Sequence, residues 1–203
     1  LDFLYQGKVL NTVKLEKATR PPTIETQWPN DVWLTAEAPP LPDNEEMAKM
    51  FFEDQSPRLS DPPDWEAMAK GDALRRQRTR EMLEAGLLRT ARDYYHAAFI
   101  FQHSDKADDY LLAHTLALLS IAGGQREATW IAAATLDRYQ QSTKHPQIYG
   151  TQYLRDRDGN WTLQPMKDEV ISDRLRILLG VPDKAGQHSR LETFKAEDKP
   201  PSK

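Results

Sequence analysis

Residues 90–143 read TARDYYHAAFIFQHSDKADDYLLAHTLALLSIAGGQREATWIAAATLDRYQQST, and this stretch decides the fold. It divides into three helices over 91–103, 106–122 and 125–143. Thr90 is placed to cap the first, and Gly123-Gly124 ends the second. Tyr95, Phe99 and Gln102 share one stripe. Leu111, Thr115, Leu118 and Ala122 share another, and Trp130, Ala133, Ala134 and Asp137 a third. Alanines on facing helices let the axes approach, so an antiparallel stack is expected. Small residues flanking the Gly-Gly turn, from Ala113 to Arg138, suggest a single helical-repeat hairpin, too few units for a solenoid.

Upstream, Asp43 or Asn44 can cap a helix ending near Gln55, with Met47, Met50 and Phe51 at helical spacing. A longer helix is expected from Asp64 to Leu83 with Gly86 as its C-terminal cap, and Gly71 inside it marks a close packing point. Residues 1–43 differ in texture. Pro21, Pro22, Pro29, Pro39, Pro40 and Pro42 keep them out of helices, so they read as an extended arm, with a short strand around Phe3 to Leu10. Trp28 and Trp33 need cover, supplied either by the arm's own domain or by a partner subunit.

Downstream, Asp158-Gly159 between two β-prone runs predicts a hairpin over about 151–164. A last helix follows from Asp168 to Leu179, ended by Gly180, and residues 183–203 read as a polar tail. The fold expected is therefore mainly α: a helical domain over 44–182, an antiparallel bundle or stacked hairpins, carrying one β-hairpin between an arm and a tail.

Composition removes several functions. With no cysteine there are no disulfides, no thiolate catalysis and no cysteine-held zinc. A net charge of -4 provides no general attraction for nucleic acid. Arg75, Arg76, Arg78 and Arg80 are followed by Glu81 and Glu84 and read as a solvated helix face. Asp108-Asp109 reads as a solvated first-turn feature that favours a helix N-terminus. No apolar run approaches the roughly 20 residues that span a bilayer. Leu1 rather than methionine opens the chain, as processing, including removal of an export signal, would leave it; no compartment and no oligomeric state follow.

Several polar residues fit a helical core badly: Gln102-His103 at the end of a helix, His114 in mid-helix, Asp137-Arg138 among alanines, and the segment Gln147 to Gln152 before the hairpin. Asp54, Gln55 and Arg58 precede them. The series resembles a bacterial helical domain family of unknown function marked by D-Q-x-x-R, a Gln-His pair, a mid-helix His, an Asp-Arg pair and Q-x-Y-G-T-Q. The matching residues are Asp54, Gln55, Arg58, Gln102, His103, His114, Asp137, Arg138, Gln147, Tyr149, Gly150, Thr151 and Gln152, within about residues 46–182. The resemblance implies a fold unit with a polar site and no particular reaction.

His103 and His114 read as a general base and its orienting partner, with Asp137 as the carboxylate behind them, or as buried histidines bonded to carbonyls. Asp54, Gln55, Arg58, Gln102, Arg138, Gln147, Tyr149 and Gln152 are candidate ligand-binding residues, Arg138 as a bidentate anion holder. Asp137 and Arg138 could equally anchor the backbone of the 147–152 loop. The histidines lack i, i+4 spacing, so no metal is expected, and no motif asks for a cofactor. The expected function is binding of a small polar or anionic ligand in a helical pocket, with histidine acid–base chemistry. The alternative is an accessory subunit docked through its arm onto a larger protein assembly.

Overall fold

The computed structural model describes residues 2–5, 8–12, 41–59 and 65–198. The chain separates into two compact units, residues 1–39 and 40–203. In the first, β1 (Asp2–Tyr5) and β2 (Lys8–Thr12) pair antiparallel with a shift in register between Phe3 and Leu4, where one strand had been expected. Residues 13–40 of the arm, Trp28 and Trp33 included, lie outside the described residues, and so does any docking role for them.

The second unit is mainly α-helical. Asn44 caps α1 (Glu45–Gln55) by accepting from the Met47 N–H. A 3-10 turn, Ser56–Leu59, continues past the expected stop. The α2 helix (Trp65–Glu84) ends where Gly86 takes φ +66°, and the N–H groups of Gly86 and Leu87 close onto the carbonyls of Leu83 and Met82. Helices α3 (Ala91–Phe101), α4 (Ala107–Ala122) and α5 (Ala128–Ser142) form the central stack. Thr90 and Asp93 open α3 with reciprocal side-chain-to-backbone bonds.

Met47, Met82, Ile100, Phe101, Leu116 and Ile131 fill the core between these helices. Each such side chain contributes roughly 1.5–3 kcal/mol when fully buried. The expected stripe on α4 faces outward: Leu111 is 42% and Leu118 49% exposed, while Ala113, Leu116, Ala117 and Ser120 are buried. The α4 helix is apolar on nearly every side, so spacing alone could not choose its inner face. Close approach chooses it. Ser120 donates to the Ala91 carbonyl at 2.6 Å, and a Cβ on Gly123 would lie 2.7 Å from that of Ala91.

Beyond α5, β3 (Leu154–Arg155) and β4 (Trp161–Thr162) form the expected hairpin, turned by Gly159 at φ +84°. The next helix, α6 (Asp173–Leu178), begins later than Asp168 because Ser172 caps it. The expected tail is instead α7 (Lys184–Glu197), capped by Asp183. Phe194 stacks on Trp161 and meets Tyr153 edge-on, and Gln187 and Leu191 on the same stripe are buried. Those positions are spaced i, i+4, i+7, but three positions in a mostly polar helix of fourteen residues are a faint signal. No helix among the described residues is long and apolar enough to cross a membrane.

Candidate functional site

A cleft of about 470 Å³ opens between α2 and the end of α3. Arg58, Met68 and Asp72 form one wall, and Gln102, His103 and Arg138 the other. Behind it lies Asp54, whose exposure is 0%. A buried carboxylate requires partners, and Asp54 has four. The Arg58 and Arg75 guanidinium groups each approach Oδ1 at 3.3 Å, and the His103 imidazole Nε2 stands 3.3 Å from Oδ2. None of these three N–H vectors is aligned well enough for a hydrogen bond to Asp54 Oδ1 or Oδ2, so the two guanidinium groups act on the carboxylate through charge. Gln55 does hydrogen bond to Oδ2, at 2.6 Å, and Arg58 donates to the Asp54 carbonyl.

Asp72 completes the network. It accepts from Arg58 at 2.7 Å and from Arg75 at 2.6 Å. Burial favours its neutral form, yet the two guanidinium bonds outweigh that and hold the carboxyl below its ordinary range. Two arginines and two aspartates therefore neutralise one another. Gly71 makes room for this arrangement, since a Cβ there would lie 2.9 Å from the Arg75 guanidinium. Asp72 and Arg75 were not recognisable from the sequence, because an Arg-rich run on a long polar helix looks solvated. The run is in fact divided: Arg75 joins the network, Arg76 donates to the His103 carbonyl, Arg78 pairs with Glu46, and Arg80 pairs with Asp109. Asp109, expected in solvent, is buried between Arg80 and the Ser104 hydroxyl.

Arg138 differs from the other arginines of the cleft. Desolvation depresses its pKa, and only the Tyr110 phenol works in the opposite direction. Its Nε is buried without a hydrogen-bond partner, and no carboxylate pairs with it among the described residues. It lines the same cleft as His103.

The second group of expected site residues lies elsewhere. Asp137, at 0% exposure, accepts from the backbone N–H groups of Ile148, Tyr149 and Thr151 and from the Thr151 hydroxyl. It holds a loop and orients neither histidine. Gln147 donates to the carbonyls of Gln152 and Leu163 and accepts from the Gln152 N–H; Gln152 in turn reaches Thr151 and the Ala134 carbonyl. The Tyr149 carbonyl receives Arg176 Nε at 3.3 Å and Gln187 Nε2 at 2.7 Å, while burial, together with the nearby Asp137 charge, raises the pKa of the phenol. None of Asp137, Gln147, Tyr149 or Gln152 lines the cleft. Arg176, fully buried, also binds the carbonyls of Ile171 and Asp168. Its role was hidden because nothing local separates it from Arg174.

His114 Nδ1 lies 2.9 Å from the Ala132 carbonyl, a contact between α4 and α5, and the residue does not line the cleft. The two histidines therefore do not form a base and its orienter. Of the expected residues, Arg58, Gln102, His103 and Arg138 share the cleft, with Asp54 and Gln55 immediately behind. No group of three potential metal ligands occurs among the described residues. No family model, curated protein or solved structure matches the chain.

Proposed function

We propose that the protein binds a small anionic ligand in this cleft, with Arg138 holding the anion and His103 moving a proton. The supporting observation is Arg138 itself, a desolvated guanidinium with no carboxylate partner among the described residues. A charge kept in that condition costs stability, and an incoming phosphate or carboxylate would offset the cost through a charge-assisted bond. Asp54 is the positioning group, its carboxylate standing 3.3 Å from His103 Nε2. The resemblance to the bacterial helical domain family belongs to the same proposal, with its D-Q-x-x-R and Gln-His elements serving the ligand and its Q-x-Y-G-T-Q element serving the fold.

Calorimetric titration with inorganic phosphate and with short carboxylates tests the reading on the wild type, Arg138→Met and His103→Ala. Binding by the wild type that Arg138→Met abolishes supports it, provided circular dichroism shows both proteins folded. Equal binding by wild type and Arg138→Met, or no binding by either, overturns it.

A further inference from the structure

A second hollow, of about 270 Å³, adjoins the cleft along α2, and its charge is not explained by a single-anion site. Arg76, Arg80, Lys106 and Asp109 line it, and Ser104 lines both hollows. Arg80 is neutralised by Asp109. Among the described residues Arg76 donates to a neutral carbonyl, that of His103, so it joins the two hollows through the residue proposed to carry the chemistry. Lys106 has no ion pair among the described residues. Among the described residues, the lining of the two hollows thus gathers Arg58, Arg138, Arg76, Arg80 and Lys106 against the carboxylates of Asp72 and Asp109. This positive groove stands on a chain whose net charge is -4. A local field of opposite sign to the whole concentrates anions at that groove and not over the general surface.

From these observations we infer that the ligand is a small extended molecule with an anionic group at each end, one on Arg138 in the cleft and the other on Lys106 and Arg76 in the second hollow. This rests on the reading of the cleft as an anion site and adds the second subsite to it. The α2 residues lining the two hollows, Ala69 and Asp72 against Arg76 and Arg80, place them on the order of 10 Å apart at 1.5 Å per residue. The anionic groups are phosphates or carboxylates, since guanidinium and ammonium groups accept both.

The test compares hexyl phosphate with hexamethylene bisphosphate, and heptanoate with suberate, by calorimetric titration of the full chain. Joining two subsites through one ligand raises affinity without any new kind of contact, so the doubly charged member of at least one pair is expected to bind roughly tenfold or more tightly. Lys106→Ala should erase that advantage and leave the singly charged member unchanged; Lys106→Glu should reverse it. Arg138→Met should weaken both members. If singly and doubly charged probes bind alike and Lys106→Ala changes neither, the second subsite is wrong while the single-anion reading survives. If no probe binds, both are wrong.

Discussion

Thr151 donates twice to one oxygen of Asp137, through its backbone N–H at 2.9 Å and its hydroxyl at 2.8 Å. With Ile148 and Tyr149 on the other oxygen, the carboxylate is the organising centre of the loop that leads into the hairpin. Asp137→Ala should cost about 3–5 kcal/mol, because it strands several buried donors at once. Urea unfolding measures this, and a loss below about 1 kcal/mol would contradict the structural role.

Gly150 lies in that loop at φ +80°, and a Cβ there would come within 2.6 Å of Gln187 Oε1. Gly150→Ala is expected to destabilise by roughly 2 kcal/mol or more, from the disfavoured dihedral and from displacement of Gln187 off the Tyr149 carbonyl. Combining it with Gln187→Ala should be less than additive, since the second change removes the clash that the first creates.

The two histidines should separate cleanly. His114→Ala loses a bond to the Ala132 carbonyl and should cost on the order of 1 kcal/mol without changing anion binding. His103→Ala should leave anion binding detectable and abolish any proton-transfer activity. Equal effects of both on binding would contradict the geometry.

Replacing Arg138 by methionine should raise stability while abolishing binding. The gain should be on the order of 1 kcal/mol, as a half-buried cation with no carboxylate partner among the described residues gives way to an apolar side chain of similar length. Chemical denaturation of both proteins provides the comparison. Destabilisation by Arg138→Met would mean that the guanidinium is holding the fold together.

His96 is stacked on Phe51 with ring centroids 4.3 Å apart, and its Nδ1 is buried without a partner. Burial lowers its pKa below the ordinary 6.5, with Arg92 adding to the effect and Asp43 and Asp93 opposing it. A depressed histidine pKa means that the unfolded chain takes up the proton first. The stabilising contribution is complete above about pH 6.5 and is lost as pH falls through the folded value. Stability should therefore decline below pH 6.5, and His96→Phe should flatten that part of the profile while Asp72, which titrates at lower pH, still produces a fall in stronger acid.

The helices were legible because their ends carry local chemistry. Asn44, Thr90 and Gly86 mark boundaries through bonds to their own neighbours, and Asp158-Gly159 turns the hairpin in the same way. Features that depend on distant partners were not legible. Leu111 and Leu118 read as core because α4 offers no contrast between its faces, and the α7 helix read as tail because its few apolar positions gain meaning only against Trp161 and Tyr153.

For the polar residues the division is sharper. Their poor fit to an apolar core could be seen in the chain, and most of them proved to be engaged with other groups, Arg138 Nε being the exception. Which engage a cleft and which engage a loop depended on neighbours far away in sequence. Asp137 and Arg138 are adjacent in the chain, yet one faces three backbone amides and the other an open hollow. Consecutive helix positions diverge by about 100°, so adjacency guarantees different surroundings, and the cleft on one side of α5 and the 147–152 loop on the other assign each its chemistry.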